Sequence, residues 1–336
     1  MSLGAVEWPT VGLLLVCYGL WFATASYLYP LMPAAALAVL AVVIALHSSL
    51  QHEVLHGHPT RNRHLNEWLV GLPLGVFYPY RRYRAVHLRH HADERLTDPY
   101  DDPECYYRAQ YDWEKLPRAL KMLLRWNNTL VGRVTLGPAL AVPGFLVTEV
   151  GQFGSSPSIR KAWMLHAAGL AVLAGLLEGA FGISFWLYAV SSAYGGMSII
   201  CIRSYCEHQW SERPEGRTVI VEKSWLALLF LNNNLHLVHH KRPTAPWYKL
   251  KALYAEESEA WRAMNEGYVF RNYFEIFRAF ALRPKEPVVH PVLRRAVPSS
   301  KPGHAITVEL GNTDPAKAPG EGRTSERPRA AAHSGC

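Results

Sequence analysis

The stretch "WPTVGLLLVCYGLWFATASYLYPLMPAAALAVLAVVIAL", residues 8 to 46, contains no charged side chain. A helix needs about 20 mostly apolar residues to cross the hydrocarbon core of a bilayer, so this run is long enough for two crossings. Pro30 and Pro33 interrupt it where a helix would have to stop. We therefore expect a membrane hairpin, with one span near Val11 to Tyr29 and a second near Ala34 to Ser49.

Three more apolar pieces follow towards the C-terminus. Ala162 to Leu177 and the charge-free Gly179 to Ile202 predict a second hairpin. The piece before them, Val134 to Val150, contains Pro138 and Pro143, so it is a poor spanning helix and we expect it to lie along the membrane surface. If it crossed the membrane instead, the histidine-rich segments would be split between the two sides. The predicted fold class is all-α, with four transmembrane helices in two hairpins and a cytosolic helical cap.

The polar regions follow from the same pattern. Residues 51 to 133 are rich in arginine and histidine, and the short apolar stretch "LNEWLVGLPLGVFYPY" within them predicts a re-entrant or interfacial segment. Residues 1–292 form the predicted membrane domain with its cap, and 293–336 a tail expected to be disordered, because proline, glycine, serine and charged residues dominate there. The start of the chain lacks a basic segment and a cleavage site, so we interpret the first apolar run as a retained anchor.

Composition excludes several classes of function. The net charge of +8 comes without a nucleic-acid recognition motif, and lysine and arginine accumulate in the cytoplasmic loops of membrane proteins, so nucleic acid is not an expected partner. The five cysteines show no C-x-x-C spacing, which argues against a disulfide scaffold and against a cysteine zinc site.

Eight of the sixteen histidines lie in three clusters. His52 and His56 lie four residues apart around Glu53, and the segments "HLRHH" and "HLVHH" repeat one H-x-x-H-H spacing. Residues three and four apart share one face of a helix, so each cluster directs two or three imidazoles to one point. Neutral imidazole is the commonest biological metal ligand. The pattern predicts a metal centre formed by His52, His56, His87, His90, His91, His236, His239 and His240.

The number of histidines decides between two kinds of metal site. The segment His52-Glu53-Val54-Leu55-His56 matches the H-E-x-x-H signature of zinc metalloproteases, in which the glutamate acts as a base. A catalytic zinc takes three protein ligands, however, and eight histidines suit two metals with about four ligands each. Imidazole binds iron, copper, zinc and nickel alike, so ligand type alone does not name the metal. A metal transporter or sensor would not need the repeated spacing.

The segments "HEVLHGH", "HLRHH" and "NNNLHLVHH" resemble the three histidine boxes of the membrane fatty acid desaturase superfamily in order, spacing and placement around paired spans. The flanking "HADERLTDPYDDPE", "PWYKLKALY" and "YFEIFRAFALRPKEPVVHP" are similar to a bacterial branch that includes dihydrorhizobitoxine desaturases. The resemblance covers roughly residues 10 to 292. It implies two non-haem irons cycling between Fe²⁺ and Fe³⁺, dioxygen as the oxidant, and four spans beneath a cytosolic cap.

The resemblance also implies a ninth ligand, His208, shortly after the last span. Any of Asn232, Asn233 and Asn234 could hold a metal-bound water, orient a ligand or cap a helix. Six acids are candidate acceptors for imidazole N–H groups, with surface ion pairs as the alternative: Glu53, Glu207, Asp93, Asp98, Asp101 and Asp102. The other histidines are expected to have no metal, with His47 as a polar group near the end of span two, His58 and His64 in a solvated loop, His166 at the start of span three, and His290, His304 and His333 in or near the tail.

The implied activity is oxygen-dependent desaturation of a fatty acyl chain, a lipid or a related aliphatic substrate. The same boxes serve hydroxylases and ketolases, which stay as the alternative, with the zinc metalloprotease behind them. Two electrons must arrive from outside, and the chain shows no haem or flavin segment, so an external ferredoxin-like or cytochrome-like donor is implied. The protein is expected to cross a membrane several times, with both termini and the active site on the cytoplasmic side. If its source is a bacterium, that membrane is the inner (cell) membrane.

Overall fold

The computed structural model describes residues 6–92, 95–297 and 307–310. Long helices dominate it, and three of them contain short π-helical turns. In chain order the helices and strands are α1 (Trp8–Leu28), α2 (Pro33–Leu55), α3 (Arg63–Leu69), α4 (Tyr80–Ala92), α5 (Gln110–Lys115), α6 (Arg118–Asn127), α7 (Leu130–Phe153), α8 (Pro157–Ala180), α9 (Phe185–Ser204), β1 (Ile220–Val221), α10 (His236–Lys241), α11 (Trp247–Glu256), α12 (Ser258–Met264), β2 (Val269–Phe270), α13 (Tyr273–Phe280), β3 (Leu293–Val297) and β4 (Thr307–Leu310).

Helices α1 and α2 form the first predicted hairpin. Pro33 occupies the first turn of α2, where its missing N–H costs no hydrogen bond. Cys17 of α1 and Leu40 and Ile44 of α2 are buried in one apolar cluster. The outward faces of both helices expose large apolar side chains such as Leu15 and Val42, as expected for surfaces that face lipid.

Helices α8 and α9 form the second hairpin, joined by a turn in which Gly182 has a φ of 66°. The hairpin packs on α2 through Gly196 of α9: a Cβ built there would lie 2.6 Å from Cγ2 of Ile44. Only glycine therefore allows the two backbones to come so close. The buried hydroxyl of Tyr188 donates to the carbonyl of Leu74 and accepts from Nε1 of Trp21, which ties this hairpin to the rest of the bundle.

Helix α7 contains the two prolines that made it a poor candidate for a spanning helix. Residues 130 to 153 nevertheless form one continuous helix around Pro138 and Pro143. By length and hydropathy, α7 is one of five helices in the described residues that could cross a membrane. Gly137 lets it approach α9, because a Cβ there would lie 3.2 Å from Sγ of Cys201. The number of spans stays a prediction.

The remaining elements form a polar cap at the ends of α2 and α9. The interfacial stretch gives only the seven-residue helix α3 and an irregular loop, which is too short to cross a bilayer. Two short strand pairs in the described residues depart from the all-α prediction. The parallel pair β1–β2 lies in the cap, and the antiparallel pair β3–β4 lies in the segment expected to be disordered. The division of the chain at residue 292 stays a prediction.

Candidate metal centre

Four segments bring the nine predicted histidines together. The end of α2 carries His52 and His56, the last turns of α4 carry the second cluster, and α10 carries the third. The ninth, His208, lies four residues beyond α9 and pairs by a backbone bridge with Thr218. In α10 the neighbouring Leu237 and Val238 are fully buried in an apolar cluster, so core packing turns the histidines of this helix to its other face.

Five histidines form the first group, which we name site A. One ring nitrogen from each lies within 4.8 Å of one from every other member. Nε2 of His91 is 3.0 Å from Nε2 of His87 and 3.1 Å from Nε2 of His239. The members of site A are His52, His56, His87, His91 and His239.

Four histidines form the second group, site B, on the same distance criterion. Nε2 of His208 is 3.0 Å from Nε2 of His90 and 3.2 Å from Nε2 of His236, and Nε2 of His240 is 3.2 Å from Nε2 of His236. The two sites share the second and third histidine clusters. Their members are His90, His208, His236 and His240.

The chemistry of this donor set fits metal ions. Nδ1 of His87 lies 2.8 Å from a Glu104 oxygen, Nδ1 of His90 lies 2.8 Å from an Asp102 oxygen, and Nδ1 of His236 lies 3.0 Å from Oδ1 of Asn233. An acceptor at Nδ1 fixes the proton there and leaves the Nε2 lone pair for a metal. The buried Nε2 atoms of His52 and His56 have no hydrogen-bond partner.

Lone pairs that face one another at about 3 Å repel unless a cation lies between them. Two ligands that bind one ion at about 2.1 Å and at right angles are themselves about 3.0 Å apart. The Nε2–Nε2 distances of 3.0 Å between His87 and His91 at site A and 3.2 Å between His208 and His236 at site B are close to that spacing. The residues present therefore fit two metal ions.

Burial keeps most of these imidazoles in the neutral form that binds metal. It is the main cause that lowers the pKa of His56 and of His208 to about 3, and it holds the pKa values of His239 and His240 well below the ordinary range. His90 is different. Burial lowers its pKa, but the carboxylates of Glu104 and Asp102 outweigh burial and raise it to about 9.

The expected acceptors are only partly right. Asp102 accepts from His90 and also from the backbone N–H of Thr97. Asp98 accepts backbone N–H groups of its own turn, and Asp101 pairs with Arg95, so neither contacts an imidazole through the bonds described. Asp93 lies outside the described residues. The acceptor at His87 is instead Glu104, which sequence reasoning missed.

Glu207 supports site B from one side. One of its oxygens pairs with Nε of Arg203 at 2.7 Å, accepts from Nδ2 of Asn233 at 3.4 Å and lies 3.8 Å from Nδ1 of His236. Asn233 therefore links Glu207 to His236, which is the ligand-orienting role considered for the three asparagines. The other two donate to backbone carbonyls, Asn232 to Trp247 and Asn234 to Val221.

Glu53 does not have the surroundings of a protease base. Its Oε1 accepts the backbone N–H of Trp247 at 3.0 Å and lies 3.8 Å from Nε2 of His58. The two histidines of the H-E-x-x-H segment share site A with three more. A hydrolytic zinc site keeps three protein ligands and an open position, so this arrangement does not favour the metalloprotease.

Among the histidines expected to have no metal, His58 departs from its expectation. It is buried rather than solvated, because Glu7 accepts from its Nδ1 at 2.9 Å. His64 is exposed, as expected. His47 contacts the Tyr18 hydroxyl at 3.0 Å and His166 the carbonyl of Val76 at 2.7 Å, and neither belongs to site A or B. The other three are the buried His290 and, outside the described residues, His304 and His333.

A lysine far along the chain supports His208. The ammonium of Lys285 donates to the carbonyl of His208 and to the hydroxyl of Tyr268, and it lies 3.0 Å from a Glu286 oxygen. Its side chain is buried, so this cation is held within the cap. No histidine-box pattern marks Lys285, and sequence reasoning did not single it out.

Comparison with known protein families supports the resemblance to membrane fatty acid desaturases. The model of the fatty acid desaturase family matches residues 28–272, a range that includes all nine histidines. Among curated proteins, none matches the chain significantly. Because the family match spans nearly three quarters of the sequence, the chain belongs to the fatty acid desaturase family, whose members are oxidoreductases of membranes.

Proposed function

We propose that the protein is an oxygen-dependent membrane desaturase that introduces a C=C double bond into an acyl chain or a related aliphatic substrate, with one iron at site A and one at site B. The observation that carries this proposal is the division of nine buried or half-buried histidines into two groups of converging nitrogens, in a chain of the desaturase family. Hydroxylation or ketone formation by the same centre is the second candidate.

The proposed reaction balances as follows. The substrate gives up two hydrogen atoms from neighbouring carbons, an external donor supplies two electrons with two protons, and dioxygen is reduced to two waters. When bound, the two irons supply the oxygen chemistry that breaks an unactivated C–H bond, which no amino-acid side chain can do. The chain itself offers no haem or flavin segment, so the donor is a separate ferredoxin-like or cytochrome-like protein.

The side chains of the protein have three roles in this proposal. Imidazoles hold the metals, and Glu104, Asp102 and Asn233 orient three of them by accepting at Nδ1. The burial of His236 and His239 limits water near the centre. His52 lies near the end of α2, so the centre is at the boundary between apolar span and polar cap, where an acyl chain in the membrane can reach it.

Four spans, with α7 along the cytoplasmic surface, remain the proposed topology, although five helices are long and apolar enough to cross. Contacts at both ends of α7 support it. Leu130 packs with Tyr205, directly after α9, and Glu149 accepts from Arg82 of the cap and from Trp163 near the start of α8. Both ends therefore contact residues on the side of the histidines.

Topology is tested with reporter tags before residue 6, after Gly154 and at the C-terminus. We expect all three to report the cytoplasmic side. A tag after Gly154 on the opposite side from the other two would show that α7 crosses the membrane, and four spans would be wrong.

The reaction is tested by expression in a host that lacks such an enzyme, followed by mass spectrometry of lipids and small metabolites. Loss of two hydrogens from one compound class is the expected result. Gain of one oxygen would replace desaturation with hydroxylation. Cells that express His236→Ala should show no new product, and cells that express the exposed-site variant His64→Ala should match the wild type.

A further inference from the structure

Beside site A, at the boundary between α2 and the cap, lies a cavity of about 90 Å³ whose wall carries three arginines. Its floor is formed by Val54 and Leu55, which immediately precede the ligand His56. The three arginines come from different places in the chain. Arg61 lies in the loop before α3, Arg63 is the first residue of α3, and Arg84 lies on α4.

Pairing distinguishes these arginines from their neighbours. On α4, Arg81 pairs with Glu67 and Arg82 with Glu149. The guanidinium of Arg84, on the same helix, makes no ion pair or hydrogen bond within the described part of the chain, and the same holds for the guanidinium groups of Arg61 and Arg63. The acid in the cavity wall, Glu67, is already paired with Arg81, so the wall has an excess of positive charge.

The loop that carries two of the arginines is rigid. The backbone N–H and the hydroxyl of Thr60 both donate to Oδ1 of Asn66, at 3.1 and 2.7 Å, and Nδ2 of Asn66 donates to the carbonyl of Thr60 at 2.7 Å. Asn62 caps α3 by accepting two further backbone N–H groups. Because this backbone is already ordered, an anion that binds the arginines does not have to order the loop as well.

The surroundings of the cavity indicate an amphiphile rather than a free ion. Leu65 and Trp68 of α3 are exposed beside it, and large apolar and tryptophan side chains of this kind lie at membrane interfaces. The cavity floor belongs to the apolar end of α2. An anionic head group at the arginines would therefore have its chain in the membrane and its nearest carbons beside site A.

We propose that Arg61, Arg63 and Arg84 form a binding site for the carboxylate or phosphate head group of an anionic amphiphilic substrate. Arg84 lies three residues before His87 on α4, and Gly57 of the cavity wall directly follows His56. Head-group binding thereby fixes which carbons of the chain reach the metal centre. The inference rests on the proposed function insofar as the bound amphiphile is the substrate.

The test measures binding without turnover. Purified protein in a non-ionic detergent is titrated with hexadecanoate, hexadecyl phosphate and the uncharged hexadecanol, which share one chain. We expect both anions to bind at least about tenfold more tightly than the alcohol, because bonds between a guanidinium and an anion are charge-assisted. The ratio between the two anions identifies the preferred head group.

Two double variants separate the cavity from general positive charge. Arg63→Gln/Arg84→Gln should abolish the preference for the anions, whereas Lys249→Gln/Lys251→Gln, which removes the same charge from the exposed face of α11, should keep it. If the cavity double variant does not fold, the single exposed variant Arg61→Gln should still reduce the preference severalfold. Equal binding of all three probes to the wild type, or an undiminished preference in the cavity variants, would overturn the proposal.

Failure of this inference is distinguishable from failure of the proposed function. A protein that prefers the anionic probes yet oxidises no substrate supports the head-group site and contradicts the desaturase. A protein that forms a double bond but binds the three probes equally supports the desaturase and contradicts the head-group site.

Discussion

Sites A and B use the same side chain but differ in how their histidines are held. Site A takes four of its five histidines from helices and the fifth, His56, from the residue that directly follows α2, and its pairs His52 with His56 and His87 with His91 are each four residues apart. Site B has one such pair, His236 with His240, and its His208 lies outside any helix. Helical spacing alone directs a pair to one point, whereas His208 depends on tertiary contacts.

Because of this difference we expect the two sites to bind their metals with different strengths. Site B offers four imidazoles against five at site A, so a metal held there would have more coordination positions free for water or another small ligand. Lys285, Glu207 and Asn233 hold its histidines in place, and Lys285 lies 77 residues beyond His208 in the chain. We therefore expect site B to lose its metal first when the protein is perturbed.

The largest expected effect is at His208. His208→Ala should lower the iron content from about two per chain to about one and abolish turnover, because site B keeps only three histidines. Metal analysis and product formation measure this. His64→Ala is the control because His64 is exposed. His166 also lies outside both sites, but it is buried and its loss would disturb packing, so it is a poorer control. Wild-type iron and product in His208→Ala would remove this residue from the ligand set.

Through their hydrogen bonds Asp102 should act mainly on site B and Glu104 mainly on site A, and the charge of Glu104 also reaches His90 of site B. Asp102→Asn should weaken metal binding at site B and Glu104→Gln at site A, each by about 10–100-fold, because the oriented Nδ1–H bond is impaired. Stepwise metal titration of the two variants measures which site is weakened. If both variants weakened the same site, the separation of the two sites would be wrong.

The effect of pH should also separate the sites. In the metal-free protein His90 has a pKa of about 9 and is protonated at neutral pH, so a metal at site B must displace that proton. A raised pKa means that the competing proton is bound below it, and the affinity of site B should therefore rise about tenfold per pH unit from about pH 7 to about pH 9. A pH-independent affinity at site B would show that His90 is neutral.

The smallest expected effect is at Lys285. Lys285→Met leaves the buried carbonyl of His208 without its donor, which costs about 1–3 kcal/mol of unfolding free energy. We expect severalfold weaker metal binding at site B and unchanged binding at site A, with partial recovery in Lys285→Arg. Equal weakening at both sites would indicate general destabilisation rather than support of His208.

Residues that repeat leave a signal in the sequence, whereas most residues that act singly do not. The spacing of "HLRHH" and "HLVHH" is visible because a helix turns i, i+3 and i+4 to one side, and charge-free runs reveal spans directly. Glu104 and Lys285 have no such signal. One acts from an irregular loop and the other from beyond the cap helices, so their roles depend on how the chain folds back.

Two features of the structure have the same origin. Pro138 and Pro143 made residues 134 to 150 a poor candidate for a spanning helix, yet residues 130 to 153 form one helix, long and apolar enough to cross a membrane, that packs closely on α9 at Gly137. His58 was expected in solvent, but Glu7 at the start of α1 covers it. Local composition describes each segment alone, and contacts between distant segments decide these cases.

The central claim is that the nine histidines hold two metals, and anaerobic titration of the metal-free wild-type protein with Fe²⁺ tests it most directly. We expect the titration to saturate at about two irons per chain, in two resolved steps, and the weaker step to belong to site B. Saturation at one metal per chain, with activity that survives without dioxygen, would contradict it.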